Sequence, residues 1–181
     1  RNGSIEYQNG GTSGNALHST HTDLTLDGVN ITSDYYGVVF IGNMMIDAAE
    51  TADKSEFDKL VITGDSTISA FAFAVSGNGS NTSAWSGTDI TVENATLNSE
   101  AGAAVYHPQY GVITLTQDAV LTGCSGIEIR AGELNINGAQ ITANGKFLTD
   151  ENGQGNTTDG AAIIVVQHST KKAIEVNVTG G

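Results

Sequence analysis

Glu128 and Arg130 are the residues whose types and spacing suggest chemistry most directly. They stand two positions apart in GIEIRAGELNINGAQITANG, residues 126–145, and Arg130 is the only arginine apart from Arg1. Together with the ring of Tyr106, the guanidinium could hold a sugar by ring stacking and bidentate hydrogen bonds. The same residues can instead form a cation–π pair on the surface, with Glu128 only solvating it. The residue types leave both alternatives open.

Other candidate ligand-binding residues lie near this face or in a loop. Tyr110 follows Tyr106 in YHPQY, and Gln167 and His168 end a later apolar run. Trp85, the only tryptophan, lies in NTSAWSGT, where it is either an exposed sugar platform or a plug packed over the fold. The full candidate set is Tyr106, Arg130, Glu128, Trp85, Gln167, His168 and Tyr110.

The acidic residues do not predict a catalytic site. A glycoside hydrolase needs two carboxylates that converge in a cleft. Asp27, Asp65 and Asp118 fall in turns, and no two carboxylates occupy matching places of adjacent repeats or alternate positions of one strand. We therefore expect a protein that is not an enzyme.

Alternating apolar and polar residues predict the strands that position these side chains. Five segments share two alternating apolar residues, a turn, a further apolar residue, a second turn and a third short strand, and a sixth segment begins near the end. They start at Leu24, Leu60, Ile90, Ile113, Leu134 and Ile174. A constant unit of roughly twenty residues with variable inserts is typical of a solenoid.

Three short strands per unit predict an all-β right-handed parallel β-helix, a solenoid of about six three-strand coils. Residues 1–181 are expected to form one such domain, cut from a longer protein. The inserts lie at 43–59, 76–88 and 146–160. The first insert has a rough helical spacing, which predicts a short helix or an irregular lid.

Inward residues of successive coils are expected to stack about 4.8 Å apart in three columns. The first column contains Leu26, Ile62, Val92, Leu115, Ile136 and Val176. The second contains Ile31, Ile68, Leu97, Leu121 and Ile141. The third runs through Val38, Phe71 or Phe73, Val105, Ile129 and Val165. One corner is expected to be left-handed, at the turn pairs 27–28, 64–65, 93–94, 117–118 and 137–138.

Charge and composition exclude several partners. Seven basic and 20 acidic residues give a net charge of −13 at pH 7, so neither nucleic acid nor an anionic polyuronate is an expected partner. A single cysteine, Cys124, excludes an internal disulfide, and no apolar run is long enough for membrane insertion.

No cofactor is expected. Calcium is the one alternative, and it requires several converging oxygens. The acids of the last insert match a calcium loop loosely: Asp150, Glu151 and Asp159. Those of the first insert lack its spacing: Asp47, Glu50, Asp53, Glu56 and Asp58. Both sets are expected to be solvated.

Residues 102–145 and 160–181 resemble the β-helical repeat regions of large surface proteins in gut-dwelling Gram-positive bacteria. More loosely, they resemble the pectate-lyase-like β-helix superfamily. The resemblance is good over roughly residues 85–181 and weak over the first half. It implies a secreted or wall-attached protein whose β-helix serves as a stalk, an adhesin or a glycan-binding module.

These observations lead to an expected function class. We expect a non-catalytic bacterial cell-surface or secreted domain that acts in adhesion or binding outside the cell. Its expected partners are a host or dietary glycan or a host surface protein, together with flanking domains of the same chain. The alternatives are a polysaccharide lyase or hydrolase of the same superfamily and a passive structural spacer.

Overall fold

The alternating segments fold as short β-strands that stack coil upon coil. The structure is a computed structural model that describes residues 3–45, 53–77, 85–145, 160–167 and 171–180. In chain order the strands are β1 (Gly3–Tyr7), β2 (Asn15–Thr20), β3 (Leu24–Asp27), β4 (Val29–Ser33), β5 (Tyr36–Ile41), β6 (Met44–Met45), β7 (Asp58–Thr63), β8 (Ser66–Ala70), β9 (Phe73–Ser76) and β10 (Trp85–Ser86). They continue with β11 (Thr88–Val92), β12 (Ala95–Ser99), β13 (Ala103–His107), β14 (Gly111–Leu115), β15 (Val120–Gly123), β16 (Ser125–Ile129), β17 (Gly132–Ile136), β18 (Gln140–Ala143), β19 (Ile163–Val165) and β20 (Ile174–Val178).

Three parallel sheets of six strands form the sides of a β-helix. The first sheet has the order β3-β7-β11-β14-β17-β20, the second β1-β4-β8-β12-β15-β18 and the third β2-β5-β9-β13-β16-β19. Each sheet receives one strand per coil, so the predicted three-sheet parallel β-helix of about six coils is confirmed. β1 and β2 add a partial coil before Leu24, where the repeat pattern begins.

Two of the three predicted inward columns are confirmed almost completely. The second column stacks as predicted, and Ile5 extends it at the start of the chain. The first column is correct from Leu26 to Ile136. Its last member is Val178 rather than Val176, because β20 pairs Val178 with Ile136.

The predicted third column is correct at Val38 and Val105 and wrong at its other positions, which were Phe71 or Phe73, Ile129 and Val165. The stacked residues are Val38, Val75, Val105, Ile127 and Ile163. The turn before the third strand changes in length between coils: Asn98 pairs with Thr122 but Ala103 pairs with Ser125, so the later turn is shorter. The strand therefore arrives earlier, and Ile127 instead of Ile129 stacks on Val105. Period-two alternation fixes the face of a strand but not its register.

A second inward position precedes this column and accepts only small residues. Gly37, Ala74, Ala104 and Gly126 occupy equivalent places in successive coils. Ala74 and Ala104 belong to the aliphatic core, and a Cβ on Gly37 would lie 2.6 Å from Ile68 Cγ2. Two consecutive residues thus face inward where the third sheet begins, which leaves no room for a larger side chain.

The predicted left-handed corner is confirmed. Its turn residues have positive φ angles in successive coils: Gly28, Gly64, Asp65, Asn94, Asp118 and Gly138. Glycine adopts this conformation freely, and asparagine and aspartate tolerate it better than other residues. The corner therefore turns the chain between the first and second sheets with residues suited to that backbone.

The start of the insert at 43–59 pairs with the end of the insert at 76–88. β6 and β10 pair as a two-stranded antiparallel ribbon, with Met45 opposite Trp85. The helix expected within 43–59 is, in its described part, only a 3₁₀ turn at Lys54–Glu56, and residues 46–52 lie outside the described residues. Lys54 Nζ forms an ion pair with Glu133 of β17. Within the described residues, no helix is long and apolar enough to cross a membrane.

We expect Gly126→Ala to destabilise the fold. A Cβ at residue 126 would lie 2.1 Å from Ile141 Cγ2 and 2.4 Å from Ala162 O, and overpacking of this kind costs about 1–3 kcal/mol. Gly3→Ala is the matched control, because nothing lies within 4 Å of its Cβ position. Urea unfolding followed by circular dichroism measures both. Equal midpoints for the two variants would contradict the assigned register of the third sheet.

Candidate functional site

An aromatic stack lies on the outer face of the third sheet. Its rings, which we call the aromatic cluster, are Tyr35, Tyr36, Phe73 and Tyr106. The ring centroids of Tyr36 and Phe73 are 5.3 Å apart, and those of Phe73 and Tyr106 are 5.0 Å apart, with both pairs stacked. Arg130 Cζ lies 5.9 Å from the centroid of Tyr106. The cation–π contact foreseen between Tyr106 and Arg130 is therefore present.

Glu128 and Arg130 form a buried ion pair beside this cluster. Arg130 Nε donates a hydrogen bond to Glu128 Oε1 at 2.6 Å, and Glu128 pairs with Tyr106 across the sheet. Glu128 is 0% exposed and Arg130 is 9% exposed. The expectation of a solvated surface pair was wrong, because alternation indicates which face a residue occupies and not what covers that face. The arginine supplies the opposite charge that a buried carboxylate requires.

Tyr110 and Gln167 come together around a residue that the sequence analysis did not single out, Lys172. Gln167 Nε2 donates to Lys172 O at 2.7 Å, and Lys172 Nζ lies 5.8 Å from the ring centroid of Tyr110. Phe57 packs edge-on against the same ring at 6.3 Å. His168 and the side chain of Trp85 lie outside the described residues, so their binding roles stay predictions.

His107 is the last residue of β13 and is buried on the inner side of that strand. Its Nε2 lies 3.0 Å from Thr88 Oγ1, within hydrogen-bonding distance. Burial lowers the pKa of His107 to about 4, and backbone hydrogen bonds only partly oppose that shift. The imidazole is therefore neutral at physiological pH and acts as a packed, hydrogen-bonded core residue.

A second candidate site, more exposed than the aromatic cluster, lies at the carboxyl-terminal ends of the strands of the second sheet. Ser33, Ala70 and Ser99 pair in successive coils, and the bonds from Phe71 N to Ser33 O and from Glu100 N to Ala70 O continue this ladder. The residues that follow are therefore stacked as a column on three neighbouring coils: Asp34, Phe71 and Glu100. We call this set the acid–Phe–acid column. Phe71 is 37% exposed, and so is available to a ligand.

The acid–Phe–acid column lies in a groove of about 550 Å³. A polar row from the outer face of the second sheet lines the groove beside the column: Thr32, Ser69 and Asn98. Asn98 Nδ2 points to Ser69 Oγ at 3.4 Å, at the long limit of a hydrogen bond. The groove thus offers one apolar ring, hydroxyl and amide groups, and the exposed carboxylate of Glu100. That volume is within the range of about 300–1,000 Å³ that is usual for small-ligand sites.

Asp34 is held in place by the backbone of the first coil. Its Oδ2 accepts hydrogen bonds from Asn9 N at 2.5 Å and from Gly11 N at 3.1 Å. The loop that contains Gly10 and Gly11 thereby forms one wall of the groove. Because Oδ2 accepts both bonds and Oδ1 is buried, the role of Asp34 is to hold this loop against the column.

The acid–Phe–acid column was not predicted from the sequence. Phe71 was predicted only as an inward residue of the third column, whereas the structure places this side chain outside the core. The sequence contains a signal for this column. Asp34, Phe71 and Glu100 each directly follow the strand that their coil contributes to the second sheet, in the segments NITSD, STISAF and TLNSE. Alignment of the strand ends would have superimposed the three residues.

The structure gives no support to a metal centre in its described part. No three His, Cys, Asp or Glu side chains gather there in a way that could hold an ion. Asp53 accepts hydrogen bonds from Ser55 N and Oγ and so begins the 3₁₀ turn. The acids Asp47, Glu50, Asp150, Glu151 and Asp159 lie outside the described residues.

Comparisons of this chain with known protein families, with curated proteins and with solved structures find no match. The sheet topology alone therefore defines its class, a three-sheet parallel β-helix protein.

We expect Arg130→Ala to destabilise the protein strongly. Removing one partner of a buried ion pair leaves the other charge uncompensated and costs about 3–5 kcal/mol. Lys54→Ala is the control, because the side chain of Lys54 is 52% exposed and such a surface pair contributes at most about 1 kcal/mol. Urea denaturation measures both free energies of unfolding. Equal losses in the two variants would contradict the burial assigned to Arg130.

We expect the protein to lose stability as the pH falls from 6.5 towards 4. Unfolded histidine takes up a proton near pH 6.5, whereas the pKa of His107 in the fold is about 4, so acid favours the unfolded chain. This difference corresponds to about 3 kcal/mol over that window. Unfolding free energies across the window should vary less in His107→Gln than in the wild type. The same change at exposed His18 is the control, and an unaltered acid dependence in His107→Gln would refute the assignment.

Proposed function

We propose that this chain is a non-catalytic binding domain and that its groove takes a neutral glycan. The observation that carries the proposal is the acid–Phe–acid column beside a row of hydroxyl and amide side chains. A sugar presents an apolar face of C–H groups and a rim of hydroxyls. Phe71 offers a ring on which the C–H face of the sugar can stack. The donors and acceptors for the sugar hydroxyls belong to Asn98, Ser69 and Thr32.

The charge of the groove narrows the class of glycan. Asp34 and Glu100 place two carboxylates in a molecule whose net charge is already −13. Uronates, sulfated sugars and sialylated chains would therefore be repelled. The exposed carboxylate of Glu100 can accept hydrogen bonds from sugar hydroxyls, so a neutral oligosaccharide is compatible with both the ring of Phe71 and this acid.

The cellular setting belongs to the same proposal. The resemblance to bacterial surface-protein repeats favours a secreted or cell-surface location, in which the solenoid displays the groove for adhesion to a host or dietary glycan. A host surface protein remains the alternative ligand, and a passive spacer the alternative role. A spacer has no need of an exposed aromatic ring between two acids, and Phe71 therefore favours binding.

A second candidate, a glycoside hydrolase, is favoured by one observation. Asp34 and Glu100 are in the same column, two coils apart, which corresponds to about 10 Å between their backbones. Inverting hydrolases place their carboxyl groups about 6.5–9.5 Å apart. Release of reducing ends that Glu100→Gln abolishes would establish this alternative, whereas binding without turnover supports the proposed function.

We expect Phe71→Ala to weaken binding to neutral glycans by about tenfold or more, since a stacking contact of roughly 1.4 kcal/mol is lost. Asn98→Ala should also weaken it. Asn135→Ala is the matched control, because Asn135 lies on the outer face of the first sheet, away from the groove. A glycan array followed by calorimetry on the best ligand measures all three variants, with circular dichroism to show that each is folded.

Two results on the same array would contradict the proposal. Folded wild-type protein that binds no neutral glycan would sink it. Binding that survives in Phe71→Ala and Asn98→Ala would move the site elsewhere, first to Trp85 and to the face with Tyr106 and Arg130. The Trp85→Ala variant tests the former directly. Tyr106 and Arg130 are buried, so variants there need an unfolding curve beside the binding curve.

A further inference from the structure

The three outer faces of the solenoid differ in what lies over them. On the third sheet the outward residues of three neighbouring coils are buried: Ser76, Tyr106 and Glu128. On the first sheet the outward residues include charged ones: Lys59, Asp89, Glu133 and Glu175. The second sheet differs from both, because its outer face from β4 to β18 is open and carries no charge.

Two rows of outward side chains form this surface, which we call the uncharged face. The row beside the groove contains Thr32, Ser69, Asn98, Thr122 and Thr142. The row farther from the groove contains Asn30, Thr67, Thr96, Val120 and Gln140. None of these side chains is buried. The uncharged face ends at Glu6 of β1, which pairs with Thr32.

The openness and neutrality of this face belong to its inner coils. β8, β12 and β15 each have a neighbouring strand on both sides, so Thr67, Thr96 and Thr122 are open only away from the sheet. The chain around them has a net charge of −13. A neutral partner can cover an uncharged surface at little cost in hydration, whereas covering charges is costly. The face therefore indicates a neutral partner.

The side chains of the uncharged face are ordered before any partner arrives. Threonine presents a hydroxyl and a methyl group, and β-branching restricts its χ1 angle. Backbone pairing repeats these groups at about 4.8 Å from coil to coil, and the two rows lie roughly 6.6 Å apart along the strands. Binding therefore costs little side-chain entropy. A neutral partner whose own surface repeats hydroxyl and C–H groups can contact the face coil by coil.

The size of the face disfavours a folded protein as the partner. Five strands of about five residues, spaced at about 4.8 Å, form a patch of roughly 19 Å by 17 Å, or about 320 Å². A stable protein interface buries about 800 Å² per partner and is centred on aromatic or arginine anchors. Neither row contains such an anchor.

The uncharged face is continuous with the groove. Thr32, Ser69 and Asn98 line the groove as well as the face, whereas Thr67 and Thr96 of the farther row lie outside it. A single glycan chain in the groove would leave the farther row uncovered, because that row is roughly 6.6 Å away. A second chain lying beside the first would cover it.

We propose that the uncharged face and the groove together bind the surface of an insoluble neutral polysaccharide, in which several chains lie side by side. One chain occupies the groove and its neighbours lie on the face. This inference rests on the proposed function, since it takes the ligand to be a neutral glycan. It goes further by naming a packed, particulate glycan rather than a free oligosaccharide. Each contact is weak, and simultaneous engagement of many contacts raises the affinity for the particle.

Depletion of the protein from solution by particles tests the proposal. The probes are cellulose, chitin and starch particles, each compared with the soluble oligosaccharide of the same sugar. Thr96→Lys puts a charge in the middle of the farther row, outside the groove, and Thr96→Ala removes the hydroxyl without adding charge. Thr114→Lys is the matched control, because Thr114 lies on the outer face of the first sheet. Circular dichroism and thermal unfolding show that each variant is folded.

We expect the wild type and Thr114→Lys to bind at least one kind of particle about tenfold or more tightly than its oligosaccharide. Thr96→Lys should lose most of this difference while its affinity for the oligosaccharide stays unchanged, and Thr96→Ala should lose part of it. Phe71→Ala should weaken binding to both.

Three results distinguish failure of the face from failure of the groove. Equal affinity for particle and oligosaccharide, or equal particle binding by Thr96→Lys and Thr114→Lys, would overturn the uncharged face as a docking surface and leave the groove intact. Particle binding that depends on Thr96 but not on Phe71 would overturn the groove and keep the face. Absence of binding to every particle and every oligosaccharide would overturn both.

Discussion

The stacking of aliphatic side chains along the solenoid axis is the interaction on which the rest of the molecule depends. Each inward residue lies over its counterpart in the preceding coil, from Ile31 to Ile141 in one column and from Leu26 to Val178 in another. Because coils do not slip relative to one another, outward positions align as strictly as inward ones. The acid–Phe–acid column is a consequence: once Ser33, Ala70 and Ser99 are stacked, the next residue of each coil must stack as well.

Polar interactions outside this core have a different role. The Glu128–Arg130 pair and the aromatic cluster cover the third sheet, and the pair is buried although it lies outside the aliphatic core. Such a pair contributes less net stability than its short distance suggests, because both charges lose their hydration. The pair also connects Glu128 of β16 to the aromatic cluster, because Arg130 lies over the ring of Tyr106. The groove differs in this respect, since Phe71 remains exposed beside the exposed side chain of Glu100.

Alternation and turn residues were sufficient to predict the fold class, two columns and the left-handed corner, because these depend on local period and local backbone. They predicted Val38 and Val105 of the third column but not Ile127 and Ile163, because the turn between Asn98 and Ala103 is longer than its counterpart in the next coil. They placed Glu128 and Arg130 on the correct side of the strand. They could not reveal that both residues are buried, because burial depends on residues that are distant in the sequence. The exposed Phe71 was missed for the same reason: its alignment with Asp34 and Glu100 is visible only after the coils are superimposed.

We propose that outward residues of stacked coils form a ligand groove at the acid–Phe–acid column. The most direct measurement is a titration of the isotope-labelled protein with neutral oligosaccharides, followed by the chemical shifts of its backbone amides. The account predicts that shifts concentrate at Ser33–Asp34, Ala70–Phe71 and Ser99–Glu100, while the amides of Thr91 and Thr114 on the first sheet stay unchanged. Shifts that concentrate on the first sheet, or a saturating ligand that leaves Phe71 unperturbed, would contradict it.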